Sequence, residues 1–266
     1  MTIDTTVGRE QTRRIAAITG AGSGIGEATA YLLSNSGFDI AVLDIDMNKA
    51  RVVAQRICDS GGSALPVSVD VTDSDSVEQA FATVESWRKP VDALINSAGI
   101  MKVASALECR LDDFQTVMQI NVTGVFLCTQ RAAKSMLAQK YGRIVNLASI
   151  SAERAGIGRI AYGTSKAAVC ALTRQFALEL AMGGVTVNCV APGPISTPMT
   201  RDFYTPETRR AYESMIPMRR LGTADEVAHA IAFLVSDSAT YVNGITLVVD
   251  GGYLAAGVGT TGTLHV

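Results

Sequence analysis

Ile15-Ala16-Ala17-Ile18-Thr19-Gly20-Ala21-Gly22-Ser23-Gly24-Ile25-Gly26 is the stretch whose reading decides the fold. Its first five residues form a short apolar run of the kind that makes a buried parallel strand. The run passes straight into a glycine turn, and a helical pattern through Tyr31, Leu32 and Leu33 follows, stopping near Gly37. A glycine-rich turn alone is weak evidence for a ligand. Strand, glycine loop and helix in that order are the context a dinucleotide fingerprint requires. The glycines let the backbone approach a pyrophosphate, which lies at the helix N-terminus.

Outward from this stretch, strand and helix alternate. A strand over Phe38–Leu43 ends in Asp44, eighteen residues after Gly26 and near the ~20-residue offset of a ribose-binding acid. A strand through Leu65–Val69 ends in Asp70-Val71, placed to meet an adenine edge, and Val91–Ile95 ends in Asn96-Ser97-Ala98-Gly99. One long helix is expected over about 112–138, with Asn121, a poor helix former, opening it locally to hold a water. Later strands end at Ser149 and at Pro192-Gly193, and a strand at Ile245–Val249 closes the fold. The pattern predicts a single-domain α/β doubly wound parallel sheet, a Rossmann fold of about seven strands flanked by helices. The domain is expected over 15–252, with a substrate lid over about 194–217 rich in Pro, Thr, Met and aromatics. Residues 1–14 read as a disordered arm, and 253–266 as a Gly/Thr-rich tail.

The chemistry gathers at Tyr162-Gly163-Thr164-Ser165-Lys166. Tyr162 and Lys166 are four apart, so on a helix they share one face. Bringing a phenol from pH ~10 to near 7 takes roughly 4 kcal/mol, which one ammonium about 4 Å away supplies at an effective dielectric of ~20. Ser149 is expected to hydrogen-bond the oxygen that Tyr162 protonates or deprotonates. The plainer alternative is a neighbouring Tyr–Lys pair on a surface helix, and the glycine loop and strand ends weigh against it.

Composition bounds the alternatives. Hydrophobic residues make up 48% of the 266 and charged residues 18%, which suits a large buried core. The net charge is −2 with no basic stripe, so a nucleic-acid partner lacks electrostatic support. No apolar run is long enough to span a bilayer, so no membrane association is expected. Five scattered cysteines without a C-x-x-C pair point to a reducing, cytoplasmic setting. Two histidines far apart in sequence offer no ligand spacing, and no metal is expected.

With these residues in place, the chain resembles the short-chain dehydrogenase/reductase family from Thr19 to Gly252. The family's glycine motif matches Thr19 to Gly26, taking in Gly20, Gly22, Ser23, Gly24, Ile25 and Gly26. Its catalytic asparagine, serine, tyrosine and lysine match Asn121, Ser149, Tyr162 and Lys166. Asp44, Asp70, Val71, Asn96, Ala98, Gly99, Pro192, Gly193, Ile195 and Thr197 then fall at cofactor-binding positions, with Thr197 at the nicotinamide carboxamide. One departure stands out: the family's Asn-Asn-Ala-Gly is here Asn96-Ser97-Ala98-Gly99, which puts hydrogen bonding between strands in question.

The resemblance implies hydride transfer between NAD(H) and a secondary alcohol or ketone, and a homotetramer paired through the helices of Asn121 and Tyr162. Ala132, Ala133, Ala167, Ala168, Ala171 and Phe176 are expected to supply the outward apolar face for that pairing. A 3-oxoacyl thioester reductase on the acyl-carrier protein is the alternative, and a non-catalytic NAD-binding protein is a more distant one. Substrate contacts are expected from Ser151, Glu153, Arg154, Met199, Phe203 and Tyr204, with Ile100 and Met215 beside them. A cyclic alcohol, a polyol and a charged hydroxy acid all fit that mixture.

Overall fold

The computed structural model describes residues 13–201 and 203–257. The expected arm, apart from Arg13 and Arg14, and the tail beyond Gly257 lie outside the described residues. β1 (Ile15–Thr19) feeds the glycine turn and α1 (Gly24–Asn35); β2 (Asp39–Asp44), α2 (Met47–Asp59), β3 (Ala64–Ser68) and α3 (Ser74–Trp87) follow. β4 (Ala93–Asn96) leads by a long loop to α4 (Leu111–Met118) and α5 (Gly124–Gln139). Then come β5 (Gly142–Leu147), α6 (Ile160–Leu180) and β6 (Val185–Pro192). The short strands β7 (Ile195–Ser196) and β8 (Gly222–Thr223) bracket α7 (Pro198–Arg201) and α8 (Pro206–Met215). α9 (Ala224–Val235) and β9 (Thr246–Val249) complete the chain.

Seven strands form one parallel sheet in the order β3-β2-β1-β4-β5-β6-β9, the doubly wound sheet that the alternating pattern predicts. Its strands are apolar throughout because helices cover both faces. In β1, Ile15 and Ala17 enter a core with Phe81, Val84 and Met136, while Ala16 and Ile18 enter the opposite core with Leu33, Ile57 and Ile231. The chain builds outward from β1 through β2 to β3, then returns to place β4 on β1's other side. That reversal leaves a crevice at the strands' C-terminal ends, where open α/β sheets take their ligands.

Two elements differ from the sequence expectation. The single helix expected over 112–138 is broken by a π-helical turn, Gln119–Thr123, between α4 and α5. Asn121 sits within it and is fully buried, so the local opening expected there is present. The second is the segment expected as a substrate lid, for which no helix was expected and which carries α7 and α8. Thr205 caps α8 and Pro206 stands in its first turn, yet the helix buries no residue and so carries no apolar stripe to read. A correction also applies to the outward face of the paired helices. Ala132 and Ala133 are buried in the core, whereas Ala167 and Ala171 are exposed.

Candidate active site

The crevice deepens into a cavity of about 450 Å³ at the C-terminal ends of the strands. Asp44, Ile45, Val69, Asp70, Val71 and Thr72 line it on the β2–β3 side, and Gly20, Ser23, Gly24 and Ile25 form its floor. On the β5–β6 side stand Ser149, Tyr162, Lys166, Pro192, Gly193, Ile195 and Thr197, with Ala98, Gly99 and Ile100 between.

The turn after β1 is tightly built. Gly20 has φ +65°, and a Cβ there would lie 2.8 Å from the Ala98 Cα, so only glycine fits. A Cβ on Gly22 would lie 2.8 Å from Asp44 Oδ2, and one on Gly26 would run into the Gly20 carbonyl. Gly22 and Gly26 therefore serve packing and do not line the cavity. At the start of α1, Ser23 makes no side-chain cap. The helix's first N–H groups thus keep donor capacity beside the cavity, which suits a pyrophosphate.

Asp44 is fixed on this wall. Its Oδ2 accepts from the Gly22 N–H at 2.9 Å and its Oδ1 from the Asp46 N–H at 2.9 Å. Each carboxylate oxygen retains a further acceptor site, which suits a diol. Asp70 Oδ1 accepts from the Thr72 N–H at 2.9 Å and hydroxyl at 2.7 Å, bracing the next turn. Thr19 Oγ1 accepts from the Ser97 and Ala98 N–H groups at 3.2 Å. The turn after β4 is thus held to β1 through the backbone N–H groups of Ser97 and Ala98.

Asn96 does not reach the cavity. Its buried amide donates to Thr129 Oγ1 at 3.0 Å and to Asn146 Oδ1 at 2.8 Å, tying β4 to α5 and β5. Asn121 is similarly engaged: Oδ1 accepts from the Ile100 N–H at 2.9 Å, and Nδ2 donates to Ile100 O and Ser165 Oγ at 3.0 Å. Its side chain staples the loop after β4 to α6, and its amide is occupied by protein where a water was expected.

Lys166 is 5% exposed and donates from Nζ to the Leu147 carbonyl at 2.7 Å. An ammonium has three donors, so the remaining two suit ribose hydroxyls. Burial pulls its pKa down to about 8. Tyr162 is pushed above its ordinary value by burial, with the Ser149 hydroxyl and the Arg159 charge pulling the other way. Lys166 Nζ lies 5.7 Å from the Tyr162 ring centroid while it donates to Leu147.

The family profile described as Enoyl-(Acyl carrier protein) reductase matches residues 20–254. A 3-oxoacyl-[acyl-carrier-protein] reductase from Synechocystis is 40% identical over 91% of this chain and 97% of its own. The chain belongs to the short-chain dehydrogenase/reductase family. Among other members, cis-4-hydroxycyclohexanecarboxylate dehydrogenase from Sinomonas cyclohexanicum is 39% identical over 94% of this chain and all of its own. A gluconate 5-dehydrogenase from Burkholderia cenocepacia, solved with NADP and tartrate, superposes with a TM-score of 0.88 at 33% identity. That likeness covers 93% of this chain and 98% of the other.

In this short-chain dehydrogenase/reductase, the residues expected to touch substrate divide. Met199 and Ile100 line the cavity. Ser151 and Glu153 line a separate outer cleft, and Arg154 stacks on Tyr253 with its guanidinium carbon 4.9 Å from the ring centroid. Tyr204 pairs with Tyr212 at 5.0 Å between ring centroids, Phe203 is partly exposed, and Met215 lies half-exposed at the end of α8. Sequence reading missed Ile45, Thr72, Ile120, Leu147 and Thr200 as cavity walls, since nothing in their type separates them from ordinary core or turn residues. Arg159 was missed as well, though it stands three residues before Tyr162, nearly one helical turn away.

Proposed function

We propose that the chain transfers a hydride between NAD(H) and a secondary alcohol or the matching ketone, with Tyr162 as general acid–base. The observation that carries this reading is the meeting of Ser149, Tyr162 and Lys166 on one wall of a cavity whose far wall presents Asp44. The nicotinamide, when bound, supplies the hydride acceptor or donor. Tyr162 takes the hydroxyl proton on oxidation and returns it on reduction. Ser149 donates to the substrate oxygen and stabilises the charge that develops there. Lys166 holds a positive charge beside the phenol and offers donors to a ribose. Gly99 and Thr197 flank the same wall.

NAD(H) is favoured over NADP(H) because Asp44 would stand against a 2′-phosphate, a like-charge contact that costs several kcal/mol. Lys49 lies 3.9 Å from Asp46, where it meets a carboxylate already present. The NADP-bound gluconate 5-dehydrogenase supports the competing cofactor, and the 3-oxoacyl reductases support the competing substrate reading, a 3-oxoacyl thioester reductase. The family's twofold helix pairing further suggests a homotetramer. The cysteines among the described residues are free, which suits a reducing cytoplasm, and no helix among them is long and apolar enough to cross a membrane.

The test is turnover of secondary alcohols, ketones and a 3-oxoacyl thioester by wild type and Tyr162→Phe, read as NADH formation or loss. Wild type should act on alcohols or ketones, and Tyr162→Phe should abolish turnover while binding NADH nearly as before in a fluorescence titration. Substantial activity in Tyr162→Phe would overturn the assigned role, and a preference for the thioester would favour the competing reading.

A further inference from the structure

The Arg159 guanidinium lines the outer cleft beside the Tyr162 ring. Its carbon lies 5.8 Å from the Tyr162 ring centroid, and Nη1 points at the Met101 sulfur. Met101 is buried in the loop after β4, and Tyr204 belongs to the segment between α7 and α8. None of the ion pairs among the described residues includes Arg159. Glu153 lines the same outer cleft and takes part in none of those ion pairs. A guanidinium carries five donors in a planar fork, and a thioether is a weak acceptor for them. A partly buried cation left so poorly matched is costly unless an anion completes it, and the fork fits a carboxylate with two parallel hydrogen bonds.

We propose that Arg159 binds a carboxylate on the substrate, so that the enzyme acts on a hydroxy acid or keto acid. The inference rests on the hydride-transfer reading above. The substrate's reacting oxygen meets Tyr162 and Ser149, and its carboxylate meets the guanidinium over the same ring. Tyr204 adds a neutral donor. Burial pushes its hydroxyl up to about 12, so it keeps its proton through the neutral range.

The experiment measures binding apart from turnover. Calorimetry with NADH-loaded protein compares cyclohexanecarboxylate, an unreactive acid, with the neutral cyclohexanecarboxamide, in wild type, Arg159→Gln and Arg159→Lys. Wild type should favour the acid, Arg159→Gln should lose at least about thirtyfold of that preference, and Arg159→Lys should retain part of it through its charge. Equal binding of acid and amide by wild type, or an unchanged preference in a folded Arg159→Gln, overturns the proposal. In parallel, kcat/KM is compared for 4-hydroxycyclohexanecarboxylate and its methyl ester. The acid-over-ester ratio should collapse in Arg159→Gln, chiefly through KM. Absence of turnover with every alcohol and ketone would count against hydride transfer, while the calorimetry still decides the role of Arg159.

Discussion

Lys166 holds a positive charge where the fold least favours one. Burial lowers its pKa from 10.5 to about 8, a difference worth roughly 3 kcal/mol. The sign follows from linkage: below pH 8 the folded state must carry the buried ammonium, and between pH 8 and 10.5 the unfolded chain binds the extra proton. Stability from this group therefore rises with pH across that window. Lys166→Met should be inactive yet more stable than wild type at pH 7, with its lead shrinking toward pH 10. Urea unfolding of both proteins at the two pH values measures this, and a constant gap would refute it. Asp44 sets the other residue-level expectation. Wild type should prefer NAD(H) by about a hundredfold or more in kcat/KM. Asp44→Ala should narrow that ratio by weakening NAD(H) and admitting NADP(H). Equal or better use of NADP(H) by wild type would overturn the cofactor assignment.

At the scale of elements, buried amides join the parts that carry the site. Asn96 and Asn146 are register partners on β4 and β5, and their side chains link Thr129 of α5 to Thr173 of α6 through hydrogen bonds of 2.8–3.0 Å. Thr173 in turn donates to the Val169 carbonyl at 2.8 Å. A chain of this kind in a low-dielectric core is worth more intact than its members suggest singly. Asn146→Ala should cost roughly 2–3 kcal/mol by leaving partners unsatisfied. Chemical denaturation checks this, and a loss below about 0.5 kcal/mol would show that the ladder is not a tie. The π-helical turn works in the same way, since Asn121 binds the Ile100 backbone and Ser165 at once. Asn121→Ala should lower both the melting temperature and kcat, because the loop after β4 and the helix bearing Tyr162 lose their shared staple. A variant with wild-type melting and reduced kcat would instead point to a direct part in the proton path.

At the scale of the molecule, the proposed homotetramer needs an apolar face on α5 and α6. Phe126 and Phe176 supply aromatic area there, with ring centroids 6.0 Å apart, alongside exposed Ala167 and Ala171. Phe126→Glu should shift light scattering from a tetramer to smaller species, and a monomeric wild type at micromolar concentration would rule the assembly out. The sequence by itself determined the alternation of strand and helix, the glycine turn, and the positions of Asp44, Ser149, Tyr162 and Lys166. Those features are local, written in apolar runs, in residues that only certain backbones accept, and in spacing along one helix. Only the tertiary structure decided which way each polar side chain turns. Asn96 and Asp44 both end central strands, yet one is consumed between strands and the other is held at the cavity. Lys166 shares a face with Tyr162 as its spacing requires, but a carbonyl from β5 draws its ammonium aside. Arg159 became legible only when the loop after β4 and the segment before α8 were folded around it. Hydrogen-bond partners far apart in sequence and the dielectric around a charge exist only once distant elements have packed, so no local pattern encodes them.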